Sequence, residues 1–292
     1  MQLVHGECDR FERLGDILSK SILFLIIAFA ISWLLWAPAL LSSVGAIKII
    51  LPTEPFVVLG AFGPSFASIL LSYLYEGKQG VMDLLRKAAR FKVRVGWHLL
   101  ALLLLPLLFV LAYGVYYLAH GKFYTSELIS EPRLIVPFFI YSLLLGGSLQ
   151  QEFGWRGYLL PRLQRKWSAL RSSLVLGLLW SVWHVPLSFI SGTIQSYIPF
   201  WLFAAAIVAL SVLFAWLYNN AGESLWITIL FHTLLVLSFS GFPLIDMEKD
   251  GSYAGFLYFT IALWITAGIV ALTYGSNLVR AQTGRTAKDL AG

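Results

Sequence analysis

The sequence predicts an all-α polytopic membrane protein of about eight transmembrane helices, and three observations carry that prediction. Of 292 residues, 59% are hydrophobic and 12% charged, with a mean hydropathy of +0.78, whereas soluble domains carry about 25% charged residues. Apolar runs long enough to cross a hydrocarbon core of ~30 Å recur along the chain. The charged residues fall mostly in the short connections between those runs. A soluble enzyme and a disordered linker protein are thereby excluded. A collagen-like chain is excluded too, because the glycines and prolines show no period.

The runs lie at residues 22–41, 55–75, 98–119, 134–152, 172–190, 197–217, 224–240 and 254–275. The first follows a polar stretch with Arg10, Arg13 and Lys20, as in a signal peptide. Its twenty apolar residues exceed the usual signal core of about 7 to 15, so it reads as a retained helix. Between the second and third runs, Arg86, Lys87, Arg90, Lys92 and Arg94 alternate with Leu84, Leu85 and Phe91. That pattern fits a helix lying on anionic lipid, and equally a solvated loop that only sets orientation. The fourth, fifth and seventh runs hold the polar residues considered below, and the eighth precedes a polar tail. No internal repeat is evident and no polar segment is large enough to fold alone. The chain therefore reads as one transmembrane domain over 1–292, with tails at 1–20 and 276–292. Cys8, the single cysteine, allows neither an intramolecular disulfide nor a cysteine-based zinc site.

Alternate compartments between the runs hold 17 and 4 of the 21 Lys and Arg residues. The positive-inside rule puts the richer side, and with it both termini, in the cytoplasm. The net charge of +6 is then a topology signal and not the mark of a nucleic-acid binder. The partners expected are the bilayer and membrane-associated peptides, and the setting is a multi-pass protein of a prokaryotic cell membrane.

Ionisable groups within a bilayer cost roughly 2.5 to 3.5 kcal/mol each on insertion scales, so each asks for a reason. His98 and His120 sit at the ends of the third run and His5 precedes the first, which explains them as interfacial. Gln151, Glu152, Arg156, His184 and His232 remain. Glu152 and Arg156 are four apart, as are Trp180 and His184, and His232 and Val236, and residues so spaced share one helix face. At 1.5 Å per residue, Glu152, His184 and His232 lie ~15, ~18 and ~12 Å from the cytoplasmic ends of their runs. Three helices thus offer polar groups at one level, as a shared site requires. Taken singly, an intrahelical ion pair accounts for Glu152 with Arg156, and an interhelical hydrogen bond for either histidine. Trp155, Trp180 and Trp183 read as packing or interface aromatics.

Glu152, His184 and His232 are a conceivable zinc set with an open water position, although His-Glu-x-x-His is absent. No Gly-x-Ser-x-Gly elbow supports a serine nucleophile; Ser181 precedes His184 by about one turn, but helical serines are common. Phosphate-cradling glycine motifs are missing as well.

These residues resemble a known family, the CAAX protease and bacteriocin-processing membrane proteases. The run Gln151-Glu152-Phe153-Gly154-Trp155-Arg156-Gly157 is similar to the family's first motif, Glu-Glu-x-x-x-Arg. Trp180-Ser181-Val182-Trp183-His184 matches the second, an aromatic residue four before histidine, and His232 to Val236 the third, His-x-x-x-Asn or Asp. Gly60-Ala61-Phe62-Gly63-Pro64 adds to the likeness, and the family-like core covers about 55–240. The resemblance implies an intramembrane endopeptidase. In it the first Glu and the second-motif His activate water, the third-motif His and Asn stabilise the oxyanion, and the second Glu and Arg support the site. In eukaryotic relatives the substrate carries a prenylated cysteine.

Two positions depart from the pattern. Gln151 stands at the first Glu and Val236 at the Asn. An amide does not accept a proton from water near neutral pH, and valine offers an oxyanion no donor. Glu152 is no simple substitute, since consecutive helical side chains point about 100° apart. Three explanations stand: an inactive relative, a chain in which the Glu has been replaced, or an active variant with Glu152 in the role. The competing functional class is a membrane binding or bacteriocin self-immunity protein that keeps the cavity. A solute transporter is disfavoured, because inverted halves with broken helices are not seen.

Overall fold

The computed structural model describes residues 2–121, 125–247 and 251–279, the side chains of 2–14 and 16 excepted. Among the described residues every regular element is helical and none is a strand. In chain order the helices are α1 (Gln2–Ser43), α2 (Glu54–Gly60), α3 (Gly63–Ala88), α4 (Val95–His120), α5 (Glu127–Ser130), α6 (Ile135–Leu144), α7 (Ser148–Glu152), α8 (Leu160–Gln164), α9 (Ala169–Trp183), α10 (Phe200–Asn220), α11 (Leu225–Gly241) and α12 (Ala254–Tyr274). Seven spans are long and apolar enough to cross a membrane, and α11 is a shorter apolar helix of the same kind. That is the expected eight.

The helix limits differ from those of the apolar runs. Residues 2–20, expected as a tail, are helical and continuous with the first run in α1, this polar stretch being rich in good helix formers such as Leu, Glu, Lys and Arg. The tail expected at 276–292 lies outside the described residues from 280 onward. The second run is two helices, since Pro64 at the start of α3 lacks an N–H and disfavours helix in the residue before it. The fourth run does not stop at 152. After a break at 145–147 it continues through α7, a π-helical segment at Phe153–Leu159, and α8. In the fifth, Pro186 ends regular helix, so His184 caps α9 where a mid-helix position was expected.

Packing places α10 at the centre, with every residue from Ala206 to Tyr218 buried. A Cβ on Gly177 would lie 2.7 Å from the Val208 Cα, so α9 meets α10 almost backbone to backbone, the close approach that small residues permit in membranes. The outer helices turn Ile22, Leu34, Leu103, Leu107 and Leu272 outward, where lipid tails receive them at no cost. Apolar contact does little to hold helices together in lipid, and polar clips contribute. Trp33 Nε1 donates to the Trp183 carbonyl (3.0 Å), Trp36 Nε1 to the Val57 carbonyl (2.9 Å) and Ser65 Oγ to the Leu149 carbonyl (2.8 Å).

The connections gather into two sets. At one end Ser224 Oγ donates to the Arg90 carbonyl, Leu170 N–H to the Ser276 carbonyl, and Asn220 Nδ2 to the Leu278 carbonyl. At the other, Ser191 N–H donates to Ser43 Oγ and Ser126 Oγ to the Gly241 carbonyl. The basic stretch belongs to the first end and has definite partners there. Arg86 pairs with Asp83 (2.7 Å), Lys87 with Glu223 (2.7 Å), and Arg90 reaches the Gly222 carbonyl. Gly77 (φ 63°) turns the chain so that residues 78–88 lie as a separate helical arm over that end.

Candidate active site

A cavity of about 820 Å³ lies among α2, α6, α9, α10 and α11, within the 300 to 1,000 Å³ usual for ligand pockets. Gln151, Trp180, His184, His232 and Val236 all line it. Residues from three separate stretches of sequence thus meet at one cavity.

Gln151 is held in one orientation. Its Oε1 accepts the Trp180 indole N–H at 2.9 Å, and an indole nitrogen is a donor only, so the amide cannot be turned around. The Nε2 is left on the other side. There a Cβ built on Gly147 would sit 2.8 Å from Gln151 Nε2 and 3.2 Å from His232 Nε2. Both nitrogens therefore crowd Gly147, which lies in the left-handed region (φ 109°) at the break before α7. A side chain at this position would fill the space between them.

Each imidazole is fixed through Nδ1. The Nδ1–H of His184 donates to the Trp180 carbonyl at 2.8 Å. A carbonyl only accepts, so in the neutral ring Nε2 carries the free lone pair. His232 Nδ1 lies 2.8 Å from Glu152 Oε1. Glu152 Oε1 is also 2.9 Å from an Arg156 guanidinium nitrogen, and both side chains are buried. The Arg156 guanidinium stacks over the rings of Trp180 (4.3 Å) and Phe214 (3.9 Å), which compensates part of its desolvation. The ion pair expected between Glu152 and Arg156 is present.

Glu152 does not line the cavity. Its committed oxygen faces Arg156 and His232, so the alternative in which it replaces the missing first Glu is not what the geometry offers. Among the described residues no three His, Cys, Asp or Glu side chains are placed together to hold a metal ion.

Three contributors escaped the sequence reading. Gln150, fully buried, accepts the Gly147 N–H on Oε1 (2.5 Å) and donates from Nε2 to the Val58 carbonyl (2.7 Å), tying the break to the α2 wall. Thr233 Oγ1 donates to Ser148 Oγ at 3.1 Å and locks α11 to the start of α7. The one available signal was Gly146-Gly147 inside an apolar run, a pattern that marks a break or close approach.

Residues 132–238 match the family described as Type II CAAX prenyl endopeptidase Rce1-like. The matched stretch runs from before α6 into α11 and holds all seven residues singled out above: Gln151, Glu152, Arg156, Trp180, His184, His232 and Val236. A protein named CAAX prenyl protease 2 from Methanococcus maripaludis is 32% identical over 102 residues. That alignment takes in 33% of this chain and 38% of the relative's length. With an all-helical membrane fold and the motif residues gathered around one cavity, residues 132–238 are thus similar to the Type II CAAX prenyl endopeptidase Rce1-like family across the helices that build that cavity.

Proposed function

We propose that this protein holds a membrane-associated peptide in an endopeptidase-type cavity without hydrolysing it. The observation that carries the reading is the orientation of Gln151. With Oε1 on the Trp180 N–H, the atom offered beside Gly147 is an amide donor, where the family pattern has a carboxylate acceptor. A donor there receives a peptide carbonyl and does not take a proton from water.

The remaining groups fit the same reading. His184 Nε2 and His232 Nε2 are acceptors in their neutral forms and suit a peptide N–H. Glu152 and Arg156 position His232 from behind without touching the occupant. Val236 on the cavity wall supplies no donor to a developing oxyanion. A missing general base costs about 10² to 10⁴ in rate, and one missing oxyanion donor about 10² to 10³. A second reading, slow hydrolysis with His184 as base, is favoured only by its free Nε2. It shares the binding mode and differs in turnover.

The test uses purified protein in nanodiscs and a fluorescent membrane-spanning peptide. Saturable binding, with the peptide's mass unchanged, is expected, and Gln151→Leu should weaken it about three- to tenfold through loss of one hydrogen bond. Cleavage at ordinary enzymatic rates, or equal affinity in Gln151→Leu, would overturn the proposal.

A further inference from the structure

A second cavity, of about 480 Å³, lies where three spans end, and it shares no lining residue with the motif-lined one. Val93 and Arg94, which lead into α4, line it together with Trp97 in the first turn of α4, Asn220 and Ala221 at the end of α10, and Tyr274, the last residue of α12. Its volume is that of an ordinary ligand pocket. Trp216 stands edge-on to Trp97 (centroids 5.4 Å apart, 78°) and to Tyr274 (5.5 Å, 68°), so three rings brace the helix ends. Trp and Tyr at the ends of spans mark the level of lipid headgroups.

The polar groups of the lining suit an anion that also donates a hydrogen bond. Arg94 has no hydrogen-bond or ion-pair partner among the described residues, and the lining contains no carboxylate. Asn220 is held in one orientation, because its Nδ2 donates to the Trp216 carbonyl (2.8 Å) and to the Leu278 carbonyl (2.7 Å). Carbonyls only accept, so the amide cannot be turned around and Oδ1 remains an acceptor. A phosphate answers Arg94, and a donor on the phosphate's substituent answers Oδ1. A hydroxyl fits that second role, whereas an ammonium would find only another cation in the lining. We infer that this cavity holds the headgroup of an anionic glycerophospholipid whose phosphodiester carries a hydroxyl, as phosphatidylglycerol does, with the phosphate on Arg94 and the hydroxyl on Asn220 Oδ1. A soluble glycerol phosphate has the same chemistry, but the ends of α4, α10 and α12 put the cavity where headgroups lie.

Native mass spectrometry of the full chain in detergent micelles, titrated with one lipid at a time, tests the site. Phosphatidylglycerol should bind tightly at a single site. Phosphatidylmethanol, an anionic phosphodiester without the hydroxyl, should bind about three- to tenfold more weakly through loss of one hydrogen bond, and phosphatidylcholine more weakly still. Arg94→Gln should weaken phosphatidylglycerol binding about tenfold, while Arg94→Lys keeps most of it. Lys78→Gln, which removes an exposed cation from the arm outside the cavity, should leave binding nearly unchanged. All three variants should melt as the unaltered chain does in lipid-free detergent, since each altered side chain is exposed. Equal losses in Arg94→Gln and Lys78→Gln, or equal affinity for phosphatidylglycerol and phosphatidylcholine, would overturn the inference in favour of diffuse surface attraction. Equal affinity for phosphatidylglycerol and phosphatidylmethanol would overturn the hydroxyl contact at Asn220. Saturation by glycerol 3-phosphate that phosphatidylglycerol does not displace would overturn the lipid as occupant and assign the cavity to a soluble phosphate ester.

Discussion

At the scale of single residues, the site depends on which atoms are already committed. Glu152 serves two partners with one oxygen, and its Oε2 and the Arg156 Nη2 are buried without a hydrogen-bond partner. A buried pair broken by removing one member costs about 3 to 5 kcal/mol, because the surviving charge is left uncompensated. Arg156→Leu should therefore lower the thermal stability of the detergent-solubilised protein more than Glu152→Gln with Arg156→Leu does. A strictly additive double variant would show that the two do not interact. The sequence made this pair legible through its spacing of four, and His184 and His232 through the cost of burying them. It did not reveal that Trp180 dictates the rotamer sense of Gln151. Trp180 read as packing, because nothing in a sequence says which way an indole N–H points toward a residue 29 positions away.

At the scale of elements, irregular backbone does the positioning. The break at 145–147 and the π segment at Phe153–Leu159 re-aim a helix that periodicity alone presents as straight. Pi-helical turns often accompany functional sites. Gly147→Ala should place a methyl against Gln151 and His232 in a left-handed conformation, costing about 1 to 3 kcal/mol and removing peptide binding; unchanged binding would show that the break is not part of the site. A second element-level device is the clip between the arm 78–88 and the turn before α11. Burial pushes the Glu223 carboxyl up, but the hydrogen bond and charge of Lys87, the charge of Arg90 and the Tyr218 hydroxyl outweigh it and hold the group below its ordinary 4.5. A carboxyl depressed on folding stabilises above its unfolded pKa and loses that contribution as pH falls through the folded one. The clip should thus be intact at neutral pH and lost only as the pH falls below the ordinary carboxylate range. Glu223→Gln should remove part of the acid sensitivity of the melting temperature, at a neutral-pH cost of about 0.2 to 1 kcal/mol for so exposed a pair. An identical acid profile in Glu223→Gln would refute the assignment.

At the scale of the whole molecule, the eight spans were legible because length and apolarity are what a bilayer demands. Their interruptions were less so, since Pro64, Pro186 and Gly147 act through backbone geometry that hydropathy does not register. The fold brings the three motif stretches together at one cavity. On the proposed reading, a binding protein differs from a protease on this frame at two positions, the Gln151 amide beside Gly147 and Val236. The most direct measurement is turnover of a membrane peptide by four proteins side by side: the unaltered chain, Gln151→Glu, Gln151→Glu with Val236→Asn, and that double variant with His184→Ala. The unaltered chain should bind and not cleave. Gln151→Glu should raise turnover by about 10² to 10⁴, Val236→Asn should raise it further, and His184→Ala should abolish the gain. Robust cleavage by the unaltered chain, lost in Glu152→Gln, would contradict the account by making Glu152 the base.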